Sequence, residues 1–99
     1  MERKIVYTNH LLSRIEFRAI PKKLPEEIYS QADAYYFDLA TTLFIAVKSI
    51  SRGKTKKKFA VAFSIHDDIV YLITVHPLKK GQEENRVNSG RWQKTKEKI

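Results

Sequence analysis

The chain has 99 residues, 42% of them hydrophobic and 11% aromatic, which is enough for one small domain with a single core and too few for two. It contains no cysteine, which excludes disulfide staples and thiolate metal sites and fits a reducing compartment; its longest apolar runs, such as Leu43 to Val47, are far too short to span a bilayer. The formal net charge is +8, of which residues 1–50 contribute +1 and residues 51–99 contribute +7, so the second half supplies a field that attracts polyanions, nucleic acid foremost.

The N-terminus, MERKIVYTNH, carries charge with no apolar segment behind it, so a cytoplasmic protein without membrane association is expected. Lys4 to Thr8 alternates weakly and reads as a short first strand. Thr8 or Asn9 is then a suitable N-cap for a helix from His10 to Ala19. At about 100° per residue, Leu11, Leu12, Ile15 and Ala19 fall on one third of the circumference and are expected to face the core. Ile20-Pro21 ends the helix, because the residue before proline avoids the helical region. Pro25 with Glu26 and Glu27 marks a second, short helix to about Gln31, proline being suited to a first helical position and acidic residues to the first turn.

From Ala34 the pattern changes to strands. Ala34 to Asp38 and Leu43 to Ile50 are β-branched and aromatic runs, and Ser51 to Lys58 (SRGKTKKK) reads as a basic hairpin loop. Phe59 to Ile65 alternates strictly, with Phe59, Val61, Phe63 and Ile65 on one side, as in a half-buried strand. His66-Asp67-Asp68 turns the chain into a last apolar strand, Ile69 to His76, stopped by Pro77. A two-residue turn there sets Phe59 opposite His76, on the side shared with Val61, Phe63, Val70 and Leu72. The fold class is therefore α+β, helices first and an antiparallel meander after, with the helices on one face of the sheet. Residues 1–80 form the domain, and residues 81–99 form a basic C-terminal tail packed in part through Trp92, its last residues loose.

Charge and spacing single out the first helix. His10, Arg14 and Arg18 recur every fourth residue and form a ridge roughly 12 Å long, and Phe17 beside His10 is an aromatic of the kind on which a base stacks. Basic residues also occupy helix faces that bind nothing. Metal-free RNA cleavage requires a base for the 2′-hydroxyl proton, an acid for the leaving 5′-oxygen and cations around the phosphate. Histidine suits both proton roles near neutral pH. His10, at a helix start where the dipole favours neutral imidazole, suits the base; His76 is the other candidate, or else a strand-end residue at the rim of the core. His66 reads as a turn residue. Arg14, Arg18, Lys48, Arg86 and Arg91 are candidates for phosphate contact, arginine through its bidentate fork, and Lys56 and Lys57 belong to the same basic surface. Trp92 either stacks a base or pins the tail. Three scattered histidines give no zinc-type spacing, Gly53, Gly81 and Gly90 stand alone rather than in a phosphate loop, and no nucleophile elbow is present. No metal or cofactor is expected.

A short strand followed by T-x-H-x-x-x-R-x-x-x-R-x-I-P, a short acidic helix, a D…FIAVK strand, a basic hairpin and a closing YLITVHP strand resembles domain-of-unknown-function family 4258, which is similar to the RelE-like and barnase-like small ribonucleases. The resemblance runs from about Ile5 to Pro77, and Asn88 to Trp92 (NSGRW) is similar to a tail segment of some members. His10, Arg14 and Arg18 match the family's helix pattern, Lys48 the lysine ending its AVK strand, and His76 the aromatic or histidine before proline. The resemblance implies a RelE-like domain and a metal-independent mRNA endoribonuclease of toxin–antitoxin type, with RNA as ligand and an acidic antitoxin as protein partner. Read without it, the same features fit a non-catalytic nucleic-acid-binding or partner-docking domain. The expected catalytic residues are His10, Arg14 and His76, and the expected nucleic-acid contacts are Arg18, Lys48, Lys56, Lys57, Arg86, Arg91 and Trp92.

Overall fold

The computed structural model describes residues 3–95; the last residues of the tail, expected to be loose, lie outside this range. In chain order the elements are β1 (Lys4–Tyr7), α1 (Asn9–Arg18), α2 (Leu24–Ser30), β2 (Ala34–Asp38), β3 (Leu43–Arg52), β4 (Thr55–His66), β5 (Ile69–Pro77), α3 (Gln82–Asn88) and β6 (Trp92–Lys94). They form an α+β domain whose single sheet has the order β1-β5-β4-β3-β2-β6. β2 to β5 are an antiparallel meander, β1 lies parallel to β5, and β6 runs antiparallel to β2.

The N-cap of α1 is Thr8, whose hydroxyl accepts the Leu11 N–H at 3.2 Å. Replacing Thr8 by alanine leaves that donor unsatisfied and is expected to cost about 1 kcal/mol, read as a lowered urea midpoint with an unchanged slope. The helix stops at Ala19, which takes a left-handed φ of 53° while its N–H bonds back to Glu16 O. Ala19 is therefore exposed instead of facing the core, and Leu12 is also exposed, at 40%. The apolar stripe of α1 reduces to Leu11 and Ile15, both buried, because the helix is only ten residues long and lies along one strand, β5.

Leu11 and Ile15 join Leu24, Ile28 and Tyr29 of α2 over Ala46, Val61, Phe63, Val70, Leu72 and Val75 of the sheet. Phe63, fully buried, is the centre of this layer, with Tyr29 edge-on at 4.9 Å and Phe44 stacked at 5.6 Å between ring centroids. A second buried cluster lies on the opposite face: Tyr36, Ile45, Val47, Ala60 and Ala62 under Leu78 and Trp92. β4 is thus buried on both faces over Ala60–Phe63, not half-buried. Small residues at positions 60 and 62 leave room for this second layer.

Instead of a tail attached through Trp92 alone, the described residues after 80 contain a helix and a strand of the domain. α3 crosses the second face, and β6 adds a sixth strand through Trp92↔Asp38, Gln93↔Phe37 and Lys94↔Tyr36. The basic segment 51–58 is likewise strand up to Arg52↔Thr55, with only Gly53-Lys54 in the turn; Gly53 supplies the left-handed φ of 60° that this turn requires.

Candidate nucleic-acid interface

The turn at Asp67-Asp68 sets His66 opposite Ile69 and Phe63 opposite Leu72, the register a two-residue turn implies. The next rung is Ala62↔Thr74: Ile73 is an extra residue, a β-bulge. One inserted residue reverses the side of everything beyond it. His76 therefore pairs with Ala60 and not with Phe59, which faces Pro77. It lies on the α3 side of the sheet, in the row Ala34, Val47, Ala60, His76, away from Val61 and Phe63.

β5 is also partly an edge. β1 covers it only as far as Tyr7↔Leu72, and Thr8 closes the contact by donating to Leu72 O at 3.1 Å. Beyond that point α1 runs beside the strand, and the Arg18 guanidinium reaches the Val75 carbonyl at 3.5 Å. From the other face α3 brings Arg86. Burial, then the Arg18 charge and the Arg86 charge, push the His76 imidazole below its ordinary pKa of 6.5. His76 is half-buried and makes no side-chain hydrogen bond among the described residues. The result is a neutral imidazole at the uncovered end of β5, without a hydrogen-bond partner among the described residues, that feels the charge of Arg18, bound at the neighbouring Val75 carbonyl, and that of Arg86. A neutral imidazole accepts a proton, and flanking guanidiniums hold a phosphate and stabilise charge that builds on it.

His10 does not join this group. It begins α1, eight residues from Arg18, which is about 12 Å of helix rise, and its side chain is exposed. Arg14 and Phe17 are exposed on the outer face of the same helix, Phe17 at 88%, lining an open surface depression with Ser13 and Glu16. Lys48 lies beside Phe59, on the α1–α2 side of the sheet, whereas Lys56 lies on the α3 side, and Lys56 and Lys57 are exposed near the β3–β4 turn. His66, read from the sequence as a turn residue, is the last residue of β4 and packs edge-on to Tyr71 at 5.7 Å.

Arg91 and Trp92 are engaged in the fold. The Arg91 guanidinium grips the Asp38 carboxylate twice, Nε to Oδ1 at 3.0 Å and Nη2 to Oδ2 at 3.2 Å, and the Ala40 N–H adds a third bond at 2.9 Å. Burial raises the Asp38 pKa, but the bonds from Arg91, Ala40 and Thr41 outweigh it and hold the carboxyl at about 2. Trp92 is 4% exposed, its ring 5.4 Å from that of Tyr36, so no base can stack on it in this structure.

Three features were not legible in the sequence. Glu83 accepts from Tyr36 Oη and Lys58 Nζ, each at 2.6 Å, fastening α3 to β2 and β4. Burial raises the Glu83 pKa, and the bonds to Lys58 and Tyr36 more than reverse it, so the carboxylate stays charged. Lys79 and Lys80 stand exposed at the start of the β5–α3 turn, beside Lys56 and Lys58, around a cleft of about 430 Å³. Arg86, singled out only for its charge, owes its position to α3, whose polar sequence carries too little periodicity to announce a helix.

Among the described residues, no group of three or more His, Cys, Asp or Glu side chains is placed to hold a metal ion, and no helix is long and apolar enough to cross a membrane. No family model, no curated protein and no solved structure matches the chain.

Proposed function

We propose that the protein is a RelE-like RNA-binding protein and a metal-independent mRNA endoribonuclease of toxin–antitoxin type, acting in the cytoplasm. The observation that carries this reading is the half-buried His76 on the part of β5 that β1 leaves uncovered, with Arg18 bound at the carbonyl of the preceding residue and the charge of Arg86 acting on the ring; the strand, two helices and antiparallel meander support it. His76 removes the 2′-hydroxyl proton, the 2′-oxygen bonds to the adjacent phosphorus, and the bond from phosphorus to the 5′-oxygen breaks. That oxygen leaves with a proton from water, and the products are a 2′,3′-cyclic phosphate and a 5′-hydroxyl. Arg18 and Arg86 stabilise the extra negative charge on the phosphorane.

Purified protein incubated with RNA in excess chelator, followed by end-group analysis, tests this. Cyclic phosphate ends are the expected product, and intact RNA counts against cleavage. The value of kcat/KM, which reports the free enzyme, is expected to fall on the acid side with a midpoint below 6.5, the ordinary histidine value, because protonation removes the base and the lowered pKa delays protonation. A midpoint above 6.5 contradicts His76 as the base. A second reading, binding without cleavage, draws on the separation of His10 from His76, which leaves no second histidine to protonate the leaving group; salt-dependent RNA binding with intact RNA selects it.

A further inference from the structure

The β3–β4 hairpin outruns the rest of the sheet. β2 pairs with β3 no further than Val47, and β5 pairs with β4 no further than Phe59, whereas β3 and β4 stay paired to Arg52 and Thr55. The rungs from Ser49↔Lys58 to Arg52↔Thr55 form a ribbon with no flanking strand among the described residues, projecting about 10 Å at ~3.3 Å per residue. Its root is fixed on both sides. Asp33 Oδ2 accepts the Ser49 N–H at 2.8 Å, and the Leu78 N–H donates to Lys58 O at 2.8 Å. Residues 48–58 include no Asp or Glu.

At this root lies the 430 Å³ cleft lined by Lys56, Lys58, Lys79 and Lys80, with Glu83 and Glu84 on the α3 side. Lys58 and Glu83 neutralise each other at 2.6 Å. Lys56, Lys79 and Lys80 are exposed and make no ion pair among the described residues. By strand alternation Lys58 and Lys56 share a face with Ala60, the partner of His76, so the lysine row continues from the histidine in steps of about 7 Å.

We propose that the ribbon root and this cleft form a second, sequence-independent docking site for the phosphodiester backbone of RNA, engaging nucleotides outside the position held at His76. The inference rests on the RNA reading above and names where affinity is generated rather than chemistry. Lysine is a point charge without the bidentate fork that reads a base edge, and backbone contacts position a ligand without specifying its sequence. An acidic protein partner fits less well. Protein interfaces are depleted in lysine and are anchored by aromatic or other large apolar residues, and the exposed large hydrophobics among the described residues, Leu12, Phe17, Leu39 and Val87, all lie off the ribbon and the cleft.

The test is fluorescence anisotropy with a 2′-O-methyl oligonucleotide of roughly 12 nucleotides, which cannot be cleaved, comparing the native chain with the triple variant Lys56→Gln, Lys79→Gln, Lys80→Gln over a salt series. The slope of log affinity against log salt is expected to fall by about 2, at ~0.7 for each phosphate that the variant no longer neutralises. Binding of a 2′-O-methyl dinucleotide, too short to reach the cleft, is expected to be unchanged, and the thermal midpoint to stay put because all three lysines are exposed. An unchanged slope overturns the proposal, as does polyglutamate binding more tightly than RNA and weakening with the same substitutions. Because the probe is uncleavable, absence of ribonuclease activity leaves the expected slope change intact, and cleavage with an unchanged slope removes this site alone.

Discussion

His76→Ala is expected to lower the rate of RNA cleavage by about 10²–10⁴-fold, the usual contribution of a positioned general base, while leaving RNA affinity nearly intact. The separation of the two effects follows from the surroundings of the ring. His76 is neutral because burial, Arg18 and Arg86 all disfavour its charged form, so removing it takes away no cation that a phosphate would contact. Arg18→Gln and Arg86→Gln are expected to weaken binding as well as turnover, since each removes a positive charge that acts on the ring. They also relieve the electrostatic pressure on His76, so the acid limb of the pH profile moves up in either variant. A purely structural role for the two arginines would leave that limb in place. Steady-state kinetics of the three variants on one RNA substrate, with anisotropy for affinity, distinguish these outcomes.

The largest expected loss of stability comes from Asp38→Asn. Asp38 is 2% exposed and joins the end of β2, the following turn and Arg91 through charge-assisted hydrogen bonds. The amide keeps the shape but loses the charge-assisted bonds to Arg91, at an expected cost of about 2 kcal/mol, within the range for hydrogen bonds to charged groups; the Arg91 side chain, 37% exposed, recovers hydration. The effect carries a pH signature. The carboxyl sits at about 2 in the folded protein against an ordinary 3.8, so its stabilisation is complete above the unfolded value and disappears as the pH falls from about 4 to 2. Urea unfolding should show the native chain and Asp38→Asn well separated at pH 6 and converging toward pH 2. A constant separation over that range would mean that the pair does not act through its charge.

Local sequence features fixed the elements whose signals are local. Thr8 caps a helix because its side chain meets a donor three residues on, Ala34 to Asp38 and Ile69 to His76 are runs that suit a pleated surface, and Asp67-Asp68 can only turn. What was hidden depends on partners far away in the chain. Trp92 to Lys94 becomes a strand because the edge of β2 is open to it and Arg91 reaches Asp38, 53 residues earlier. α3 is a polar heptapeptide held by Glu83 to Tyr36 and Lys58, none of which its own periodicity reveals. The lysines at positions 56–58 hide a strand because lysine is depleted in sheets, yet here they ride on a ribbon propagated from the buried segment Ala60–Phe63.

The candidate site shows the same division. Arg18, His76 and Arg86 are all legible as basic or titratable residues, but their meeting depends on the bulge at Ile73. Without that residue an ordinary ladder turns His76 toward Val61 and Phe63, inside the α1–α2 layer, and no pattern of apolar alternation in YLITVHP distinguishes the two registers. The ridge His10, Arg14, Arg18 was legible as a repeat, but only its last member reaches the edge of β5, because the helix runs along the strand and carries His10 to the other end.

The most direct test of the central claim is a proton NMR titration of the His76 ring, free and with a saturating 2′-O-methyl RNA oligonucleotide. A midpoint below 6.5 is expected in the free protein, moving up when a phosphate offsets the two guanidinium charges. A midpoint at or above the ordinary value in the free protein, or one indifferent to the RNA, would contradict that claim.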